Sequence, residues 1–169
     1  MMNKKYDKIK NFSTTISVEK TIAEIEKMLS MYGATRIMKE YDADGNPNKL
    51  VFAIMTEFGE MPVKLPLNAD KVLDVFKVQV SDKKLPKRYW NDMEQAHRVG
   101  WRIIKDWLDA QLTLLNIQMV KVHEIFLPYA YDSKHDQTLF QKMEEQGFAG
   151  FIEENNREPP VYLVKNHDE

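Results

Sequence analysis

One stretch of the chain combines the residue types and spacing needed to hold a phosphate. It runs through Lys83, Lys84, Lys87, Arg88, Tyr89 and Trp90, then Arg98, Arg102 and Lys105. Between 82 and 105, seven basic residues stand against three acidic ones. On a helix, Arg98, Arg102 and Lys105 recur at i, i+4 and i+7 and share one face. Tyr89, Trp90 and Trp101 lie close by in sequence, and aromatic rings stack on bases or on guanidinium planes. Charged donors for the anion and flat surface for whatever carries it are what phosphate recognition requires. The competing reading is a solvated helix face, with Asp106 and Asp109 pairing with the bases and the aromatics filling the core. A net charge of −2 supplies no global attraction for nucleic acid, so such a role rests on this patch alone.

Other candidate chemistry is thinner. The histidines are His97, His123, His135 and His167, and no two stand at i+3 or i+4, so no helical metal pair exists. His135 precedes Asp136, which reads as the N-cap of a small helix. Asp42-Ala43-Asp44-Gly45-Asn46 resembles the start of a calcium loop. That loop needs glycine at its sixth position and glutamate at its twelfth, which here are Pro47 and Ala53. A β-turn explains the residues instead. Glu57 with Glu60, and Asp106 with Asp109, read as solvated carboxylates rather than an acid–base pair. Phosphate-cradling glycine loops and the serine-nucleophile elbow are missing. The chain contains no cysteine, which removes disulfides, thiolate nucleophiles and cysteine–zinc sites. No catalytic residue, cofactor or metal is expected.

Composition frames what must position the patch. At 169 residues, with 43% hydrophobic and 11% aromatic content, the chain has material for one globular core. No segment approaches a membrane span, and MMNKKYDKIKNF is basic without a following apolar run, so a cytoplasmic protein is expected.

Periodicity gives the elements. Ser17 is placed as an N-cap, and Val18, Ile22, Ile25, Leu29 and Tyr32 form one helical stripe ending at Gly33. The period then changes to two, with strands expected over 35–41, 49–56 and 61–67 and a tight turn over 42–47. Pro62 and Pro66 share parity, so their missing donors fall on one side and mark the third strand as an edge. Asn68 caps a helix with Ala69, Val72, Leu73 and Phe76 inward. Asn91 and Glu94 have the layout of a capping box opening the longest helix, 92–116. Ala96, Gly100, Ile103, Trp107 and Leu114 mark its buried stripe, so Trp107 is expected inside. Val99, Trp101, Leu108, Leu112 and Leu115 form a second stripe, beyond what one small sheet covers. Exposed, that stripe would be a large apolar patch, which predicts a homodimer built on helices. A short apolar segment follows at 120–127, stopped by Pro128, and then a small helix at 136–146. The expected organisation is one α+β domain over 12–150, three antiparallel strands covered by helices on one face. A basic N-terminal tail, 1–11, and a polar C-terminal tail, 151–169, flank it.

The helix–strand–strand–strand–helix order over 17–77 is similar to a double-stranded-RNA-binding domain. Those domains carry a lysine cluster at the start of the second helix, where this chain has Asn68-Ala69-Asp70-Lys71. Ile16-Ser17-Val18-Glu19-Lys20-Thr21-Ile22, Trp101-Arg102-Ile103-Ile104-Lys105-Asp106-Trp107 and Phe126-Leu127-Pro128-Tyr129 resemble a family of short bacteriophage and prophage proteins, from about Phe12 to Phe148. That resemblance implies a phage or mobile-element origin, in a setting where small non-enzymatic modulators are frequent. It carries over no functional residue. The function expected is a phage-encoded binding or modulator protein contacting a host or phage protein, or nucleic acid. A protein sequestering a nucleotide or signal molecule is the alternative, and an enzyme with a carboxylate–histidine site ranks third.

Overall fold

Ser17 opens the first helix, its hydroxyl accepting the Lys20 amide at 3.2 Å. In the computed structural model, which describes residues 8–148, that helix is α1, Val18–Met31. Gly33 follows at φ +87°, a left-handed turn that reverses the chain at little steric cost. Strands β1 (Ala34–Tyr41), β2 (Pro47–Thr56) and β3 (Gly59–Lys64) form an antiparallel sheet in the order β1-β2-β3. The β1–β2 turn is held by Asp42, whose Oδ1 accepts the amides of Asp44 at 3.0 Å and Asn46 at 2.8 Å. The fold class is α+β, as expected.

The third strand is an edge of this sheet, and it stops earlier than expected. Leu65 still donates its amide to Leu50 at 3.0 Å, so odd-numbered amides point inward and Pro62 and Pro66 fall on the outer side. A single bridge joins Val63 to Ala130 along that side.

Asn68 caps α2 (Ala69–Ser81), and α3 spans Met93–Asn116. Asp92, not Asn91, caps α3, because Asn91 is used to close a 3-10 turn, Lys87–Asn91. The apolar stripes of α3 exchange the roles expected of them. Trp101, Leu108 and Leu112 are essentially inaccessible and pack with Ile22, Ile25 and Leu29 of α1 against Leu50, Phe52 and Ile54 of β2. On its other side Ala96 and Val99 meet Val72, Leu73 and Phe76 of α2, with Leu85 and Tyr89 completing a second core. Gly100 permits this approach, since a Cβ there would lie 3.0 Å from the Leu67 side chain. Trp107 is only partly buried, at the rim, edge-on to Phe126 and Tyr129. The second stripe is therefore covered within one chain, and no partner is needed to bury it. α2 packs on α3 rather than on the sheet.

The rest of the described chain wraps the edge: α4 (Val122–Phe126), a 3-10 turn (Leu127–Tyr129), a small hairpin of β4 (Tyr131–Asp132) and β5 (Gln137–Thr138), and α5 (Leu139–Glu145). Thr138, not Asp136, caps α5. Asp136 instead sits in the hairpin at φ +51° and accepts from Lys49 Nζ at 3.0 Å, Tyr131 OH at 2.8 Å and Lys64 Nζ at 3.2 Å. Those donors hold its carboxyl far below the usual carboxylate range. Burial disfavours the Lys49 ammonium, but its bonds to Tyr131, Asp136 and Glu40 outweigh that and raise its pKa. Residues 8–11, expected in the basic tail, are bound into the domain. Ile9 donates to Gln79 Oε1 at 3.1 Å, and Lys10 and Asn11 both reach Asp106 at 2.9 Å. The expected polar tail over 151–169 lies outside the described residues. Among the described residues, no helix is long and apolar enough to cross a membrane.

Trp101 also donates its indole N–H to the Pro47 carbonyl at 3.1 Å. Trp101→Ala is expected to cost ~3–5 kcal/mol, and Trp107→Ala distinctly less. Denaturant titration of both variants checks the order, and equal losses would show that the two faces have been misassigned. Because the pKa of Asp136 is depressed on folding, its contribution is fully present above the unfolded value, declines below it and is lost as pH falls through the folded value. The hairpin should loosen below about pH 4, seen as a lower protection factor (exchange relative to the intrinsic rate at the same pH) at the Leu139 amide, which bonds Ala130 O at 2.8 Å. Asp136→Asn should loosen it at neutral pH and reduce the acid dependence to the share of Asp132, whose carboxyl His135 also holds below its usual range.

Candidate functional site

The nine residues of the basic–aromatic stretch do not form one surface. Arg102 lies between α3 and α1 and bonds Glu24 at 2.6 Å, with only 15% of its side chain exposed. Lys105 pairs with Asp109 at 3.4 Å. Tyr89 is buried edge-on to Phe12 and Phe76, and Trp101 is inaccessible, so neither ring can stack on a ligand. Lys83, Lys87, Arg88 and Trp90 are exposed on the α2–α3 connector, with Lys84 half-buried among them. Trp90 offers the aromatic surface of the group, 49% exposed. Arg98 faces the same side from α3, paired with the exposed Glu94 one turn earlier.

Arg88 and Arg98 are brought together across a cleft of about 420 Å³. Its far wall is Ser13, Thr14 and Thr15, and Asp92 and Gln95 line it from the start of α3. The wall is fixed by Gln95, a buried side chain whose Nε2 donates to the carbonyls of Phe12 at 2.9 Å and Thr14 at 2.8 Å. Gln95 Oε1 in turn accepts from Arg98 at 3.2 Å. Arg88 lies over the Tyr89 ring, its guanidinium carbon 5.0 Å from the centroid, and donates to the phenol at 3.2 Å. Two oriented guanidinium groups opposite three hydroxyl side chains make an arrangement suited to a phosphate or another oxyanion. Asp92 tempers it, but its Oδ1 is engaged as the helix cap, accepting the Gln95 amide at 2.9 Å. The hydroxyls and Gln95 are invisible to sequence reasoning. They lie some 80 residues apart in the chain, and neither motif nor spacing connects them.

A second polar cleft, also about 420 Å³, opens on the opposite side of the first turns of α3. The β1–β2 turn supplies Asp42, Asp44 and Asn46, the start of α2 supplies Asn68 and Asp70, and α3 supplies Met93 and His97. The backbone amide of Asn46 leads the bonds that hold the Asp42 carboxyl below its usual range. His97 is 7% exposed, and its Nδ1 is buried without a hydrogen-bond partner among the described residues. Its Nε2 stands 3.9 Å from Asp42 Oδ2, beyond hydrogen-bond length. The other described histidines take surface roles. His123 packs on Phe58, and His135 Nδ1 lies 2.6 Å from Asp132 Oδ2. His167 lies outside the described residues. Among the described residues, no group of three or more histidine, aspartate or glutamate side chains is arranged to hold a metal.

No protein-family model, curated protein or solved structure matches the chain.

Removing the Gln95 amide strands two carbonyls and frees the hydroxyl wall. Gln95→Ala is expected to cost ~1–3 kcal/mol and to speed amide exchange at Thr14, whose N–H bonds Asn11 O at 2.9 Å, while α1 stays protected. Unchanged exchange at Thr14 would show that the wall is held by other contacts.

Proposed function

We propose that the chain is a non-enzymatic binding protein, of the modulator kind that phages encode. It takes the phosphate backbone of a nucleic acid in the cleft between Arg88, Arg98 and residues 13–15. The observation that supports this reading is that Arg88 and Arg98 line one cleft together with Ser13, Thr14 and Thr15. Lys83 and Lys87 extend the positive surface along the connector, and Trp90 lies exposed beside them for stacking. The Glu94 partner of Arg98 is 73% exposed, so exchanging it for a phosphate costs at most about 1 kcal/mol. Arg102 and Lys105 do not line the cleft, and Arg102 is largely buried against Glu24.

The alternative, a protein that sequesters a mononucleotide, draws support from the same cleft, whose volume suits a single nucleotide. Fluorescence anisotropy with a labelled single-stranded oligonucleotide, with mononucleotide as competitor, separates the two. Nucleic-acid binding through four cations predicts a log–log salt slope near −3, since each neutralised phosphate of a single strand contributes about −0.7. Arg88→Glu combined with Arg98→Glu should abolish binding without changing the melting temperature, and Glu94→Gln should tighten it. Full competition by mononucleotide with a shallow slope would favour sequestration. If neither ligand binds at low salt, the phosphate reading is wrong and a protein partner takes its place.

A further inference from the structure

Strand β1 has β2 on one flank and, among the described residues, no strand on the other. We propose that this open edge docks a second copy of the chain, the two β1 strands pairing antiparallel about a two-fold axis at Met38 to make one continuous sheet. The ladder shows which backbone groups reach the edge. Leu65 donates to the Leu50 carbonyl, so even-numbered residues of β2 turn their backbone groups to β3 and odd-numbered ones to β1. The Ala53 carbonyl agrees, since it accepts from Thr35 Oγ1 at 3.3 Å. Met38 stands opposite Val51, so its own groups point to β2, and the N–H and C=O groups of Ile37 and Lys39 point to the open edge. Such a row is a template for another strand. In a pair centred on Met38, Ile37 exchanges both bonds with Lys39 of the second copy, and Lys39 with its Ile37.

An open edge alone would accept any extended chain, and here the charges select the same strand as partner. Two-fold pairing about Met38 sets Arg36 opposite Glu40 of the second copy and Glu40 opposite its Arg36. Opposite charges facing each other across strands favour the pairing. These positions fall between the new ladder bonds, where facing side chains come closest. Both groups have capacity left for a second partner. The Arg36 side chain is 74% exposed and meets Glu60 through Nε and Nη2, which leaves the Nη1 donors. Glu40 meets Lys49 through Oε1, which leaves Oε2. Lys39 is already neutralised on its own chain by Glu26 at 2.7 Å, and exposed Met38 meets its copy at the axis. Neighbouring registers lose the match. Centring on Lys39 sets the two Lys39 ammonium groups against each other, and centring on Ile37 puts Arg36 opposite Met38. A strand without the reciprocal Arg–Glu pair would also lose it, so the edge recognises this chain itself. Nothing is required of α3, whose apolar stripes are covered within one chain.

Sedimentation velocity of the full chain at tens of micromolar tests the proposal, and a mass of twice 19.9 kDa is expected. Lys39→Pro removes a donor aimed at the open edge and none from the β1–β2 ladder. It should return the mass to that of one chain while the circular dichroism spectrum stays unchanged. A cross-link reads the register directly and does not depend on that variant folding. The chain contains no cysteine, so Met38→Cys places its only thiol at the axis. Facing residues between ladder bonds stand about 4.5 Å apart at Cα, within the reach of a disulfide. Met55 is an exposed methionine on the same sheet face, away from the edge in β2, and serves as the control. Under mild oxidation Met38→Cys should form a linked dimer at least about tenfold faster than Met55→Cys, because pairing raises the effective concentration of the facing thiols. The proposal is overturned if the wild type sediments as one chain or if folded Lys39→Pro remains dimeric. It is equally overturned if Met38→Cys links no faster than Met55→Cys.

Discussion

Everything else in this fold depends on α3 being apolar on two sides at once. A helix with one buried stripe needs one partner. Here Trp101, Ile104, Leu108 and Leu112 face the sheet and α1, while Ala96 and Val99 face α2. Trp101 fixes the arrangement, because its indole N–H must find a partner on burial and finds it in the Pro47 carbonyl at the start of β2. That bond ties the middle of α3 to the corner where the β1–β2 turn returns into the sheet. The rotation of the helix about its axis is then set, and its polar residues can emerge only in the gaps between its partners. Asp92, Gln95 and Arg98 emerge on one side, and Met93 and His97 on the other. The two clefts are what the packing of one helix leaves over.

Electrostatics then sorts the charges. Basic residues near the helix partners become cross-links: Arg102 to Glu24, Lys39 to Glu26 at 2.7 Å, and Lys10 to Asp106. Burial works against the Asp106 carboxylate, but Asn11 and Lys10 outweigh it and keep its pKa below the usual range. A carboxylate that reads as solvated in the sequence is thus an anchor for the segment that leads into the hydroxyl wall. The same logic operates on the outer sheet face, where one aspartate gathers two lysines and a phenol and holds the hairpin against the edge strand. Ion pairs at a surface contribute little singly. Their consequence here is positional, since each pair fixes one element of the fold against another.

Elements were legible in the sequence because each is announced by neighbours within a few residues. Ser17, Gly33, Asn68 and the 42–47 turn act through local hydrogen bonds and local backbone geometry, and they stand where pattern and propensity put them. Errors arose where tertiary packing decides. The two stripes of α3 are equally apolar, and which one faces the sheet depends on α1 and α2, not on the helix. Trp107 and Trp101 exchanged roles for that reason. Asp136 has the chemistry of an N-cap, yet the lysines of β2 and β3 compete for it and win. Of the site, the arginines and the exposed tryptophan were visible as types. Their sorting by partner was not, and neither was the wall at 13–15 nor the junction of Asp42 with His97, because residues distant in sequence meet only once the helices have packed.

The overall charge of −2 conceals this local arrangement. Charge interactions at a surface fade over about 8–10 Å at ordinary ionic strength, so a ligand responds to the residues near it rather than to the total. One cleft presents two guanidinium groups against a single capping carboxylate, and the other presents three carboxylates and a histidine. They open on opposite sides of the same two turns of α3, with the buried second core on one flank and the sheet corner on the other. The two fields are opposite in sign, and at these distances each acts mainly on its own cleft. A chain with nearly balanced charge can therefore present two clefts of opposite charge without a second domain.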